Sequence, residues 1–224
     1  MVTPSIFSQR KGSLINYDFS NIATGRGITK LYGGQLSGQN ILSDIPFYST
    51  YPVKNVFGTA TVGGWTLSQD LDYDMEFEKP ITIRGETIVN VTGGCASLEG
   101  PAITYAEYIV VTLYKVVGGV ETSIGTAQTT HNGPKSVAAA NSIPRAISID
   151  VPNTKFKKGE TLRLNIKQYG GQYAGSDSPV IGLGQSPMDR NDDGTIQGDA
   201  RIKATIEDAD PTQLIVYLPI KILD

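Results

Sequence analysis

Apolar and acidic residues alternate one by one around Tyr73, and this pattern constrains the fold more than any other feature of the sequence. Apolar side chains occupy positions 71, 73, 75 and 77, and carboxylates occupy positions 72, 74, 76 and 78. A period of two is that of a β-strand, because successive side chains of a strand point to opposite faces. The segment therefore predicts a strand with one face in a core and one acidic face.

Strand patterns recur along most of the chain. The run 105–117 is rich in β-branched and aromatic residues, and the strand-like segment 120–126 follows it after Gly118-Gly119. Glycines at this point predict a hairpin, because they supply the positive φ angles that tight hairpin turns need. Another strand is predicted at 213–223, where Pro219 indicates an edge position or a bulge.

These strands together predict an all-β protein, an antiparallel β-sandwich of jelly-roll type with long Gly-rich loops. The chain has 224 residues, a length that suits a single all-β domain. We expect residues 1–40 to form a loosely structured N-terminal arm with short strands and residues 41–224 to form the sandwich. The Gly-rich segment 169–198 is predicted to be a long loop that carries partner contacts.

Charge and hydropathy exclude several classes of partner. The formal net charge of −3 disfavours nucleic-acid binding, which needs a basic face. No segment approaches the roughly 18 consecutive apolar residues of a membrane span. The first eleven residues lack the apolar core of a signal peptide, so we expect synthesis in the cytoplasm without secretion.

One segment resembles a calcium-binding loop. Residues 189–196 follow the pattern D-x-N-x-D-G-x-I, which places oxygen ligands at alternate positions and a glycine at the sixth. The candidate Ca²⁺ ligands are Asp189, Asn191, Asp193 and the carbonyl of Thr195. The twelfth position, which should supply a carboxylate, is Ala200, and the alternative is a surface turn in which Asp and Asn bind their own backbone. Apart from this site, no cofactor is predicted.

The acidic face around Asp74 is a second candidate site. Alternate residues of a strand lie about 6.6–7 Å apart, a spacing compatible with the paired carboxylates of a glycosidase. Several carboxylates in a row form a solvated outer face more simply.

Aromatic side chains are a third candidate. Trp65 and several tyrosines could stack on sugars, since their ring faces are apolar. The alternative is that these rings belong to the core or its rim. The tyrosines considered for this role are Tyr48, Tyr51, Tyr169 and Tyr173.

The sequence offers few residues for catalysis. Cys95 is the only cysteine and His131 the only histidine, so a nucleophilic cysteine or a serine triad would depend on that one histidine. His131 lies in a turn-like segment before Gly133-Pro134, and zinc sites need more Cys and His ligands than this chain has. We therefore predict no catalytic residues and no enzyme activity.

Both ends of the chain resemble virion-associated proteins of tailed viruses, of the capsid-decoration or head-fibre type. The resemblance lies in the segments NYDFS (16–20), TGRG (24–27), LYGG (31–34), GQSPMDR (184–190) and TQLIVYLPIKI (212–222). It implies a structural protein of the virion, assembled in the host cytoplasm, that binds the major capsid protein or other virion proteins and forms a homo-oligomer.

Two functions follow as predictions. The first is a non-enzymatic viral structural protein that decorates the capsid surface or forms part of a head fibre. The alternative is a carbohydrate-binding β-sandwich module of an adhesin or receptor-binding protein.

Overall fold

A computed structural model describes residues 15–16, 26–47, 49, 53–57, 64–96, 104–130, 132–136, 141–174, 180–186 and 212–221. These residues form thirteen β-strands and no helix, so no helix in these ranges could cross a membrane. The predicted all-β class is confirmed. The strands are β1 (Ile15–Asn16), β2 (Arg26–Leu36), β3 (Gln39–Ser43), β4 (Val53–Phe57), β5 (Trp65–Glu76), β6 (Ile81–Ala96), β7 (Thr104–Val117), β8 (Val120–Gln128), β9 (Asn132–Ser136), β10 (Asn141–Phe156), β11 (Thr161–Ala174), β12 (Val180–Gly184) and β13 (Leu214–Lys221).

The strands form one hydrogen-bonded sheet with the order β4-β12-β6-β13-β2-β3-β5-β11-β7-β8. Strands β1, β10 and β9 pair with β2, β6 and β7 beside this path. All pairs are antiparallel except one, in which Ile41 of β3 meets Asp74 of β5 in parallel. The prediction of a wholly antiparallel sheet is therefore corrected: the sheet is mixed, because β3 and β5 run in the same direction where they meet.

The single parallel contact divides the sheet into two halves whose inner faces share one core. The β6 half contains β1, β2, β3, β4, β6, β10, β12 and β13, and the β11 half contains β5, β7, β8, β9 and β11. Both supply fully buried side chains to one apolar cluster. At the far side the halves meet again, where a Cβ at Gly125 of β8 would lie only 2.5 Å from Ile149 of β10. The largest buried side chains include Tyr73, Leu113, Leu164 and Ile166 from the β11 half and Leu31, Ile83, Ile149 and Phe156 from the β6 half.

Local sequence explains several elements. The alternating segment around Tyr73 forms part of β5, and its Tyr73 side chain is fully buried. Val117 and Val120 pair across the predicted hairpin, where Gly118 and Gly119 both have positive φ, 57° and 83°. Positive φ at both central residues is typical of a turn whose twist matches the flanking strands. The strand and hairpin predictions are confirmed here.

Pro219 lies in an interior strand, since β13 pairs with both β6 and β2. The register between β13 and β6 shifts between Tyr217 and Ile220, so the proline stands at an irregularity of the ladder. A proline cannot donate to the ladder, and a bulge removes the need for that donor. Of the two predicted settings, the bulge is confirmed and the edge position is wrong.

The N-terminal region contributes a central strand. β2 lies within the predicted arm 1–40 and pairs with β13 on one side and β3 on the other, with Leu31 in the core. The division at residue 40 stays a prediction. The segment 169–198, predicted as a loop, contains the end of β11 and all of β12, and residues 187–198 lie outside the described ranges.

Candidate binding surface

Glu107 of β7 is the centre of a polar cluster inside the fold. Its fully buried carboxylate accepts hydrogen bonds from Arg145 Nη2 at 2.7 Å and from Gln168 Nε2. A Cβ at Gly93 would lie 2.7 Å from Arg145 Nη1, so the absent side chain makes room for the guanidinium. Because Arg145 belongs to β10, the ion pair joins the two halves. Both carboxylate oxygens are occupied, so Glu107 holds the halves together rather than accepting a substrate proton.

The same cluster fastens β12 to the β11 half. Gln168 Nε2 donates to the carbonyl of Gly182 at 3.1 Å, and Gln69 Nε2 donates to Gln168 Oε1 at 3.2 Å. The Tyr73 hydroxyl donates to Gln185 Oε1 at 2.8 Å, and burial raises the pKa of this phenol well above its usual range. The phenol therefore stays protonated and acts as a donor. These buried polar groups bond mainly to one another, although Arg145 Nη1 has no hydrogen-bond partner among the described residues, and the pattern indicates a structural role.

The outer face of the β11 half, called here the charged face, carries a network of ion pairs. Arg163 binds both carboxylate oxygens of Asp74, at 2.7 and 2.6 Å, and Lys167 Nζ lies 3.4 Å from Asp70. The charge of Asp70 is the main reason why the pKa of Lys167 is raised. Carboxylates paired in this way form a solvated face, as the sequence predicts. The charged face comprises Asp70, Asp72, Asp74, Glu121, Arg163, Asn165 and Lys167.

Three aromatic rings lie at one end of the charged face. Tyr108 stacks on Tyr169 with ring centroids 4.8 Å apart and an angle of 7°, and Trp65 meets Tyr108 edge-on at 4.8 Å. Burial, and then the neighbouring Tyr169, raise the pKa of Tyr108. Trp65 and Tyr169, both predicted as candidates, are thus brought together, and all three rings are partly exposed. Tyr48 and Tyr51 lie outside the described residues, as does the side chain of Tyr173.

The outer face of the β6 half, called here the apolar face, differs from the charged face. Ile28 and Ile88 are exposed by 40% and 36%. The strand register places Pro219 beside Ile28 and Tyr217 beside Ile88. These positions point away from the core because they alternate with fully buried neighbours such as Val216. The apolar face comprises Ile28, Lys30, Tyr32, Ile88, Ile215, Tyr217 and Pro219, and it is flanked on the same side of the sheet by the exposed polar residues Glu86, Ser148 and Lys221.

A cleft of about 330 Å³ opens at the edge of the apolar face. It lies where the neighbour of β6 changes, since Asn90 pairs with Ile215 of β13 and Gly93 pairs with Leu183 of β12. The two residues of β6 between these positions pair with neither β13 nor β12. The cleft has both amide and apolar groups in its walls. Its lining includes Asn90, Thr92, Pro144, Ala146, Gln213 and Ile215.

Lys30 is the charged residue at the centre of the apolar face. Its Nζ atom lies 4.8 Å from the ring centroid of Tyr32 and 6.0 Å from that of Tyr217. The negative faces of the two rings attract the ammonium group and hold it in place. No carboxylate of the described residues lies within ion-pair distance of it.

The predicted calcium ligands lie outside the described residues. These are Asp189, Asn191, Asp193 and Thr195, and the calcium site stays a prediction. His131 also lies outside, and Cys95 is described only through its backbone in β6. Within the described part of the chain, no group of three or more His, Cys, Asp or Glu side chains is placed to hold a metal ion.

Sequence reasoning missed the apolar face, although a signal for it was present. In β2, Ile28 and Tyr32 lie on one side while Leu31 lies on the other, so the strand is apolar on both faces. A strand that is apolar on both faces indicates cover on both sides. The buried pair of Glu107 and Arg145 has no comparable signal, because the two residues are 38 positions apart.

Comparison with known proteins finds similarity at the level of structure. No protein-family model and no curated protein sequence matches the chain. An aminopeptidase from a marine sediment archaeon, Thaumarchaeota archaeon, superposes with a TM-score of 0.55 and 7% identity over 88% of this chain and 37% of its own. An α-amino acid ester hydrolase superposes with a TM-score of 0.54 and 12% identity over 85% of this chain and 36% of its own.

These likenesses concern the fold alone, and this chain spans little more than a third of the length of the two hydrolases. A capsid-type match is far weaker: a structure of infectious bursal disease virus, Gx strain, has a TM-score of 0.23 and 11% identity over 93% of this chain and 52% of its own. Such a score carries no argument.

The comparisons correct the functional predictions. The prediction of a non-enzymatic viral structural protein, decorating a capsid or forming a head fibre, is contradicted, because the structures that share this fold are hydrolases. The alternative function, a carbohydrate-binding module of an adhesin or receptor-binding protein, is contradicted by the same finding. The prediction that the chain has no part in enzyme activity is contradicted by the same finding. The resemblance of the two chain ends to virion proteins stays a prediction.

Proposed function

We propose that this chain is the all-β part of a hydrolase that cleaves ester or peptide bonds. The observation that carries the proposal is the asymmetry of the structural matches. The similarity covers 85–88% of this chain and only 36–37% of each hydrolase. The chain thus corresponds to one structural unit of a larger enzyme, and the rest of such an enzyme would adjoin it in the same polypeptide or as a partner subunit.

We also propose that the unit is a two-layer sandwich of the jelly-roll kind. Two features support this arrangement: both halves of the sheet fill one apolar core, and Gly125 of β8 packs closely on Ile149 of β10. Sheets packed face to face in this way leave two outer faces available for other contacts.

In this proposal the described residues have a binding or positioning role and do not cleave the substrate bond. Glu107, the buried carboxylate among them, is occupied by Arg145 and Gln168. The carboxylates of the charged face are paired with Arg163 and Lys167. The groups that attack the bond are therefore assigned to residues beyond the described ranges, in the adjoining part of the enzyme.

The test is to purify the tagged chain from its source cells together with whatever adjoins it. The eluate is then assayed with L-alanine p-nitroanilide and L-phenylalanine methyl ester. We expect hydrolysis that co-elutes with the tagged chain and is absent from an identical purification of untagged cells. Equal rates in the tagged and untagged eluates on both substrates would refute the proposal.

A further inference from the structure

The apolar face lacks the internal neutralisation that the charged face shows. On the charged face Arg163 and Lys167 each have carboxylate partners on neighbouring strands. On the apolar face Lys30 has the rings of Tyr32 and Tyr217 beside it instead. Lys30 has no ion-pair partner among the described residues, and a carboxylate brought to it would be attracted strongly in that partly dry setting.

We propose that the apolar face docks a partner protein surface that brings a carboxylate to Lys30 and an apolar side chain, with its peptide groups, into the cleft. The amides of Asn90 and Gln213 match the donors and acceptors of a peptide backbone, and Ala146 and Ile215 supply apolar walls. A patch with an apolar centre, aromatic rings and a polar pocket has the composition of a protein interface. The partner's identity rests on the proposed function: it is the part of the hydrolase that carries out the cleavage.

A second copy of this chain fits the surface less well. A two-fold contact centred on this face brings the two Lys30 ammonium groups together, which repel one another. A contact between the apolar face of one copy and the charged face of the next places Ile28 and Ile88 against carboxylates such as Asp72. Such a head-to-tail contact also leaves both end surfaces free, so it would continue into open filaments.

The experiment is zero-length carbodiimide crosslinking of the assembly purified from source cells. This reagent joins an amine to a carboxylate only where the two form a close ion pair. We expect mass spectrometry to find Lys30 joined to an Asp or Glu of the adjoining hydrolase part. Lys30 joined to a second copy of this chain, or no crosslink at Lys30, would overturn the proposal.

Variants of the apolar face test the same surface. If the adjoining hydrolase part is a separate subunit, the readout is how much of it co-purifies with the chain. If it belongs to the same polypeptide, the readout is its protection from limited proteolysis. We expect Ile88→Asp to lower retention or protection by about ten-fold or more and Lys30→Gln by several-fold, as for central interface residues. The matched control is Lys167→Gln, which removes a lysine from the charged face and should leave both readouts unchanged. Circular dichroism and the melting temperature show whether each variant folds.

The outcomes separate this proposal from the proposed function. If the assembly hydrolyses its test substrates but the adjoining part is crosslinked to Lys167 instead of Lys30, the proposed docking surface is wrong and the proposed function stands. If Lys30 crosslinks to a partner without hydrolase activity, the docking surface stands and the function is wrong. Equal losses in Ile88→Asp and Lys167→Gln would also refute the docking surface.

Discussion

The two outer faces of the sheet are built on the same strand geometry and have opposite chemistry. The charged face places acids and bases opposite one another across adjacent strands, as with Arg163 and Asp74, so its charges are neutralised within the chain. The apolar face exposes Ile88 at the end of the row that holds Lys30 and Tyr217, and Ile28 beside that row. In our proposal the charged face is complete in water, whereas a partner completes the apolar face.

The largest expected effect comes from breaking the buried ion pair between Glu107 and Arg145, which joins the two halves of the sheet. Arg145→Met leaves the Glu107 carboxylate buried without its cation, so we expect a loss of about 3–5 kcal/mol in the free energy of unfolding. Urea unfolding measures it. A loss as small as that of Arg163→Met, the control on the charged face, would show that the pair does not hold the halves together.

The second-largest effect is expected when charged side chains are introduced on the apolar face. The double variant Ile28→Lys with Ile88→Lys should lower the fluorescence of the dye ANS bound to the protein several-fold, because both side chains are exposed apolar groups of one patch. The control is Val120→Lys, since Val120 is 67% exposed but stands alone at a hairpin turn. If Val120→Lys gives the same decrease, the apolar face is not the main surface that binds the dye.

A smaller effect is expected on the charged face itself. Arg163→Met removes ion pairs that are partly exposed, so the free energy of unfolding should fall by at most about 1 kcal/mol. The loss should shrink further in high salt, which screens exposed charges. Urea unfolding at low and high salt measures both. A loss comparable to that of Arg145→Met would contradict the distinction between buried and exposed pairs.

The smallest effect concerns pH and the turn between β10 and β11. Hydrogen bonds from Lys115 and then from the Lys157 backbone lower the pKa of Glu160 below its usual value of 4.5. A carboxyl whose folded pKa is depressed stabilises the protein above its unfolded pKa, and that stabilisation is lost as pH falls through the folded pKa.

Glu160→Gln should therefore be less stable than the natural chain near about pH 6, and the difference should be smaller near about pH 3. Urea midpoints at the two pH values measure the difference. A difference that persists unchanged at the lower pH would show that the carboxylate charge is not its cause.

Much of the local structure could be predicted from the sequence. The alternation around Tyr73 predicted β5, and Gly118-Gly119 predicted the hairpin of β7 and β8, because both signals depend on neighbours in the chain. The solvated character of the acidic face followed from the same alternation. The irregularity at Pro219 followed from the missing donor of proline.

The candidate surfaces could not be predicted in this way. Lys30 and Tyr217 meet only because β2 and β13 pair, and they are 187 positions apart in the sequence. Tyr108 and Tyr169 stack because they lie directly opposite one another in the pairing of β7 with β11. The resemblance of the chain ends to virion proteins stays a prediction, but the viral structural function drawn from it is contradicted, because short strand segments do not specify a function.

The sequence by itself determined that this chain forms strands and which side chains of each strand point the same way. Those properties depend on the two-residue repeat of an extended backbone and on glycine or proline at single positions. Only the tertiary structure decided that Glu107 meets Arg145, that one outer face neutralises its own charges, and that Lys30 stands among tyrosines on the other. The physical reason is that pairing between distant strands selects these neighbours, and no local pattern records which strand lies beside which.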